Sequence, residues 1–476
     1  MATTRDQTSV EGALYDLVAR GEKDKYFIKD EKDAAHPFQW TFNRWPASLP
    51  EHRWTNPLNE PRWGGRCEFE FDLPGDVLMD AVLEIELPTW LPPNIAPYNN
   101  TAITYQTGTP NRVYGYTRAV AYFMFERIEL YQDNILLQEV SGDSLYFGSL
   151  NKSSWNQGYL TQKLAGDHDG TDLSIQRNAT PGKLELPLPI PGCSFPGDRG
   201  LPICGIRSQT FRLRLTLRPL ERLVECSDPS VLNPSPWTVS FTQFTNELGT
   251  VVEQAIPRID IKEPQLKLRT KQLYLLNDAR QELATSKLEV PYIRYFDNSY
   301  SGNALDYAPI PKGGTATLSE WHDANYTVER MFSYFRNSIV FETNRLWNIT
   351  NTINPTGNYY NSIQFTIAGQ LREGPWGSSV YEQVIPHAKE DRYGVVHVPE
   401  MNWTRGWRIE DMPPILREPT GGINFTTADR PTYLIELTDI QTNSTLGYKQ
   451  MYQITCCESW ALYKIDKGRG SLAYAN

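Results

Sequence analysis

The chain has 476 residues, of which 40% are hydrophobic, 12% aromatic and 21% charged. This length is too great for one compact core and suits two domains of roughly 200 residues each, and the apolar content excludes a mainly disordered chain. The net charge of −10 gives no overall basic surface for binding nucleic acid. The chain has 34 prolines and 32 glycines, which are typical turn residues. They indicate many turns between short strands, and hence an all-β architecture.

The N-terminal segment predicts a short amphipathic helix. Thr8 and Glu11 have the spacing of a capping box, and Leu14, Leu17 and Val18 recur at helical intervals. An isolated helix of this size is marginal in water. We therefore expect either an assembly arm whose apolar face docks on another surface, or a simple packed N-terminal helix.

Alternation of apolar and polar residues predicts antiparallel strands with one wet face. The pattern is clearest at 67–72, 83–87 and 212–217. The denser apolar run 119–125 predicts a strand buried on both faces, and 132–134 predicts a tight turn between two strands.

Long polar stretches rich in Pro, Gly and Asn predict long loops between the strands. These stretches are 88–116, 151–182, 227–237, 297–325 and 348–360.

Signals of catalysis are absent: there is no Gly-rich phosphate loop, no His-Glu-x-x-His and no Gly-x-Ser-x-Gly. Asp167, Asp169 and Asp172 around His168 form the best candidate cation site, although a solvated turn explains the same spacing. The sequence thus predicts no enzyme, no cofactor and no bound metal.

Two further residue types have plain structural interpretations. The six cysteines lack metal-ligand spacing and are interpreted as small buried hydrophobes. Arginines recur along one predicted strand and its flanks, which predicts a solvated or subunit-facing side rather than a nucleic-acid site. They are Arg207, Arg212, Arg214, Arg218 and Arg222.

No run approaches the roughly 20 apolar residues that cross a bilayer, and residues 1–7 lack the apolar core of a secretion signal. We therefore expect synthesis in the cytosol, and no transmembrane segment.

Motifs near the C-terminus resemble a known family. Gly421, Gly422, Asn424 and Phe425 precede an alternating strand, and the chain closes with the Gly-rich string 468–474. Together they resemble the closing segment of the double jelly-roll major capsid proteins of large icosahedral DNA viruses. Other segments resemble the same family in the same order, including Gly75 and Asp76 ahead of strand 83–88, and 274–280 in the second half.

The resemblance implies two consecutive eight-stranded antiparallel jelly rolls with long loops and a short N-terminal helical arm. The domains expected from it are an arm at 1–34, a first roll at 35–256 and a second roll at 257–476, with strand 265–268 opening the second roll.

It also implies a structural protein of the virion. Three chains would form a pseudo-hexagonal capsomer that contacts neighbouring capsomers and minor capsid or cement proteins beneath the shell, assembled in the host cytoplasm without direct contact with nucleic acid. The alternative is a carbohydrate-binding or carbohydrate-active β-sandwich protein, because jelly rolls also serve lectins and the chain has 13 Trp and 26 Tyr residues.

Overall fold

The computed structural model describes fourteen segments of the chain. They are 48–89, 114–150, 164–193, 200–206, 208–234, 244–245, 251–252, 261–300, 315–351, 357–390, 395, 397–405, 420–438 and 451–473. The predicted arm with Leu14, Leu17 and Val18 lies outside them.

Strands dominate the described residues, and every strand pairing is antiparallel. The first half contains β1 (Ser48–Thr55), β2 (Arg66–Glu70), β3 (Val77–Glu86), β4 (Tyr114–Tyr116), β5 (Phe125–Gln132), β6 (Ile135–Val140), β7 (Lys183–Pro187), β8 (Phe211–Leu217), β9 (Val224–Cys226), β10 (Phe244–Thr245), β11 (Val251–Val252) and β12 (Gln265–Leu275). The second half contains β13 (Leu288–Tyr300), β14 (Thr315–Trp321), β15 (Thr327–Asn337), β16 (Tyr360–Ile367), β17 (Gln370–Trp376), β18 (Glu400–Asn402), β19 (Ile423–Asn424), β20 (Thr432–Thr438), β21 (Met451–Asp466) and β22 (Arg469–Leu472).

Helices are short. They are α1 (Val120–Phe123), α2 (Gly142–Leu150), α3 (Asp172–Arg177), α4 (Asn277–Thr285), α5 (Ser338–Glu342) and α6 (Ile385–Glu390). No helix in the described segments is long and apolar enough to cross a membrane.

The two halves repeat one sheet order. In the first half the sheets run β1-β12-β3-β7 and β2-β8-β5-β6, and in the second half they run β13-β21-β15-β18 and β14-β20-β16-β17. In the first half the opening strand β1 lies beside the late strand β12, and in the second half β13 lies beside β21. Neighbouring first and last strands are typical of a jelly roll. The predicted all-β jelly-roll fold is confirmed.

Strand β12 differs from its predicted place. We expected residues 265–268 to open the second roll, yet Leu268 pairs with Leu83 of β3 and with Thr55 of β1, so β12 completes a sheet of the first half. Sequence alternation identifies a strand but not its partners, and pairing at this distance along the chain is decided by tertiary packing.

The run 119–125 also differs from prediction. Ala119 has a φ of 52° and is followed by helix α1, and only Phe125 enters a strand. All four residues of α1 are buried, so the run is apolar on every side, and such a run does not distinguish a buried strand from a buried helix.

Three predicted loops contain regular structure. Strand β4 lies at the end of 88–116, helix α3 lies within 151–182, and the end of β13 and all of β14 lie within 297–325. The turn expected at 132–134 is confirmed, since β5 ends at Gln132 and β6 begins at Ile135.

A sheet of the second half is buried on both faces. Phe332 and Tyr334 of β15 belong to an apolar core that is continuous with the first half, whereas Met331 and Phe335 face the separate core of the second half. The adjacent Cys456 and Cys457 of β21 divide in the same way. This sheet therefore serves both halves at once.

Candidate functional site

The predicted motif residues Gly75 and Asp76 hold the end of β12. The Asp76 N–H donates to Leu273 O at 2.8 Å, and its carboxylate accepts from the Leu275 N–H at 2.8 Å and pairs with Arg280 at 3.0 Å. A Cβ on residue 75 would lie 2.8 Å from the Cβ of Gln272, so only glycine fits against β12. Segment 75–76 thus contacts segment 274–280.

The second motif is a turn packed against β15. A Cβ on Gly421 would lie 2.8 Å from Trp403 O, and a Cβ on Gly422 would lie 2.7 Å from Val328 O. Both glycines therefore permit close backbone approach.

Asn424 and Phe425 in the same turn have different surroundings. Phe425 is buried, as expected, and stacks on Phe365 with ring centroids 6.0 Å apart. Asn424 is exposed, and its Oδ1 accepts from the Thr426 N–H at 3.0 Å, which provides the expected backbone hydrogen bond. The role of these residues as a family motif stays a prediction.

The Gly-rich C-terminal segment contacts the first half. The Gly470 N–H donates to Gln209 Oε1 at 2.7 Å, and Gln132 Nε2 donates to the same oxygen at 2.9 Å. A Cβ on residue 470 would collide with the hydroxyl of Tyr463. The segment therefore joins the end of the chain to β5 and to the approach to β8.

Side chains of β13 cover the edge strand β6. Tyr292 OH donates to Leu137 O at 3.1 Å, and the guanidinium of Arg294 donates to Leu136 O at 3.3 Å. The Tyr295 N–H donates to Gln138 Oε1 at 3.2 Å. Carbonyls of an edge strand, which would otherwise be free to pair with another chain, are thus used between the halves.

The N-terminus of α2 receives three side chains from the second half. Asp297 of β13 accepts from the Ser141 N–H at 2.8 Å, and Tyr334 OH lies 3.3 Å from Ser144 Oγ. Arg336 Nη1 donates to Asp143 Oδ2 at 2.5 Å. The other oxygen of Asp143 accepts from Arg218 Nη1 at 2.7 Å. A cavity of about 470 Å³, lined by both halves, lies beside Asp143 and Asp297.

The two carboxylates titrate differently. Burial alone would raise the pKa of Asp143, but Arg218 and Arg336 lower that pKa to about 2. Burial raises the pKa of Asp297, which faces backbone and hydroxyl groups rather than a cation. Asp143 is therefore the ionised centre of this junction.

Three residues of the candidate cation site, Asp167, His168 and Asp169, contact other protein groups. Asp167 pairs with Arg118 at 2.5 Å, Asp169 accepts from Thr171 Oγ1 at 2.7 Å, and His168 Nε2 lies 3.0 Å from Glu225 Oε1. Within the described segments, no group of three or more His, Cys, Asp and Glu side chains converges as a metal site. The solvated-turn interpretation fits Asp169, whereas His168 is buried beside Glu225.

The arginine row and the cysteines separate into different environments. Arg212 and Arg214 lie on the wet face of β8 and pair with Glu70 and Glu68. Arg218 is mostly buried beside Asp143 within the chain, so the expectation of one solvated or subunit-facing side is wrong for Arg218. All six cysteines are free thiols; four are buried, and Cys193 and Cys204 are partly exposed.

Comparison with known proteins identifies the fold. The sequence matches no profile of a known protein family, and no curated protein matches it by sequence. Among solved structures, VP54 of the virus PBCV-1 superposes with a TM-score of 0.64 at 15% identity, covering 92% of this chain and 100% of VP54. The major capsid protein of Faustovirus superposes with a TM-score of 0.58 at 10% identity, covering 96% and 97%. A chain from the Sputnik virophage structure gives 0.54 at 10% identity, covering 96% and 94%.

This chain has the double jelly-roll fold of viral capsid proteins. At 10–15% identity the likeness concerns the fold, and it extends over nearly the whole of both chains in each case.

Sequence reasoning missed the residues that join the two jelly rolls. Asp143, Asp297 and Arg336 were not singled out as candidates. A signal existed for Arg336, which is the one charged residue in the apolar run 331–336, since a charge in such a run must find a buried partner. The partner itself, Asp143, is 193 residues away and gave no signal.

Proposed function

We propose that this protein is a viral major capsid protein. The observation that carries the proposal is the repeated jelly-roll sheet order in the two halves, combined with similarity over more than nine-tenths of the chain to capsid proteins. Its role is structural, in the virion, and we infer that it is not an enzyme.

The function follows from geometry. Two similar rolls in one chain give six similar rolls in a trimer, which approximates sixfold symmetry and suits a hexagonal lattice. Many modest contacts between such capsomers stabilise a closed shell, because the overall affinity of several linked contacts far exceeds the affinity of each contact alone.

We propose that the first roll extends to Leu275 and that the second begins at Leu288. Strand β12 supports this division, since it pairs with β1 and β3. Helix α4 then links the rolls, and none of its residues is buried.

Partners are proposed on the same basis. They are two further copies in a homotrimer, neighbouring capsomers, and minor capsid or cement proteins beneath the shell, assembled in the host cytoplasm. The apolar positions Leu14, Leu17 and Val18 are the proposed contacts of the N-terminal arm with that lower layer.

Electron microscopy tests the proposal. We expect purified protein in negative stain to show compact particles with pseudo-hexagonal outlines, and crowded conditions to give hexagonal sheets or closed shells. A homogeneous monomer that forms no lattice at any concentration or salt would contradict it.

One surface feature favours the carbohydrate-binding alternative. A groove of about 410 Å³ on the first roll is lined by Trp54, Glu84, Lys183 and Lys267, and the exposed indole of Trp54 offers a stacking face for a sugar ring. Glycan-array screening of the parent and of Trp54→Ala separates the two functions. Binding that is lost in the variant supports the alternative, whereas no binding by the parent removes it.

A further inference from the structure

Two fully buried arginines lie on strand β15, and they pair in different directions. Arg330 donates to Glu458 at 2.5 Å and to Glu400 at 3.1 Å, and both partners belong to the second roll. Arg336 instead donates to Asp143 of the first roll. Only the second ion pair crosses the junction.

The guanidinium of Arg336 is enclosed by rings from both rolls. Its Cζ lies 5.7 and 5.5 Å from the ring centroids of Phe123 and Phe147, in the first roll, and 5.1 and 5.9 Å from those of Tyr334 and Phe341, in the second. Such contacts attract a cation to aromatic faces, most strongly where water is excluded. Its Nε and Nη2 have no hydrogen-bond partner, so the single directional bond of this guanidinium is the one to Asp143.

Asp143 is held firmly from its own side. Arg218 Nη1 donates to Asp143 and also to Phe123 O, each at 2.7 Å. Asp143 also lies in the first turn of α2, where the helix dipole favours an anion. The carboxylate is therefore a fixed point of the first roll to which Arg336 attaches the second.

We propose that Asp143 and Arg336 are the positioning pair that sets the angle between the two jelly rolls. The apolar core that the rolls share is non-directional. Neutral hydrogen bonds such as that of Tyr292 OH to Leu137 O also cross the junction, but a hydrogen bond between two charged groups is roughly twice as strong and fixes distance and direction more firmly. The consequence for assembly rests on the proposed function, since six rolls approximate sixfold symmetry only when the angle within each chain is constant.

Distance measurement between the rolls tests the pair directly. Spin labels on ketone-bearing amino acids at the exposed positions 60 and 372, one in each roll, avoid the six cysteines. Double electron–electron resonance on the parent is expected to give one narrow distance distribution. R336M removes the link while leaving the Asp143–Arg218 pair intact, and we expect its distribution to broaden at least twofold. R336K keeps the charge and should recover part of the narrow distribution.

E458Q is the matched control. It weakens the buried ion pair between Glu458 and Arg330, and Arg330 lies on the same strand as Arg336 but pairs within the second roll. We expect it to melt at a lower temperature than the parent but to keep the narrow distribution. Equal broadening in E458Q and R336M, or none in R336M, would overturn the proposal. If R336M does not fold, D143N is measured in its place, and failure of both variants to fold would assign the pair to folding and refute a positioning role.

The test separates this proposal from the capsid function. A parent chain that never trimerises, with R336M broadened, would reject the proposed function and keep the positioning pair. If R336M has a broadened distance distribution but still forms normal shells, the proposed function stands, and a constant angle between the two rolls is not required for assembly.

Discussion

At the residue scale, single side chains contribute in ways set by their surroundings rather than by their type. Arg212 and Arg214 lie on a wet face, where their ion pairs add little to stability, whereas Arg218, nearby in sequence, is mostly buried and holds a carboxylate in place. Removing one partner of such a buried pair leaves an uncompensated charge.

Phe425→Ala tests the C-terminal turn. Because the ring is buried against Phe365 and Trp403, we expect the variant to lose about 3–5 kcal/mol of unfolding free energy. Urea denaturation measures the loss. Thr427→Ala, at an exposed neighbouring position, is the control and should stay within about 0.5 kcal/mol of the parent. A parent-like Phe425→Ala that cannot assemble would place the ring in an assembly contact.

His322 gives a pH prediction. Burial lowers its pKa to about 3, from the ordinary 6.5. The unfolded chain therefore takes up a proton near pH 6.5 while the folded chain does not, so this group's contribution to stability is full above pH 6.5 and declines as pH falls toward 3. The decline reaches up to about 1.4 kcal/mol per pH unit. His322→Phe should flatten the dependence of urea midpoint on pH in that window, and an unchanged slope would count against the buried neutral imidazole.

At the element scale, contacts between distant segments decide which strands belong together. Strand β12 alternates as the sequence indicates, but its position between β1 and β3 depends on pairing with both strands, and its end is held by the carboxylate of Asp76. The hydrogen bonds of that carboxylate also fix where β12 ends and α4 begins, through Leu275 and Arg280.

Asp76→Ala tests this connection. It leaves the Leu275 N–H without its acceptor and Arg280 without its partner, so we expect a loss of about 1–3 kcal/mol. The same change should speed amide exchange at Leu275 and through α4, as measured by hydrogen–deuterium exchange. Asp278→Ala, an exposed acid on the same helix, should leave exchange at Leu275 unaltered; if it does not, the effect belongs to α4 and not to Asp76.

At the scale of the whole molecule, the two rolls share a core through the sheet β13-β21-β15-β18. Separating the rolls would expose the apolar face of this sheet that packs on the first half, and exposing apolar surface to water is unfavourable. The chain is therefore suited to act in assembly as one unit with two jelly rolls.

The oligomeric state is the prediction at this scale. Three chains of 54.5 kDa give a trimer of about 164 kDa, and light scattering coupled to size exclusion should report that mass over a wide concentration range. Deletion of residues 1–25 should leave the mass of the trimer near that of three shortened chains while impairing assembly or attachment to the layer below. A stable monomer would contradict the proposed capsomer.

The sequence by itself determined the fold class, because alternation with period two and frequent turns are local properties that antiparallel sheets require. It also located Gly75, Asp76 and Phe425, which are buried, and Gly421 and Gly422, whose close backbone approaches the structure shows. Tertiary structure alone decided that β12 pairs with β1 and β3, that 120–123 is a helix and that Arg336 meets Asp143. Each of these depends on a partner far away in the chain, or on burial from every side, and local patterns carry no information about either.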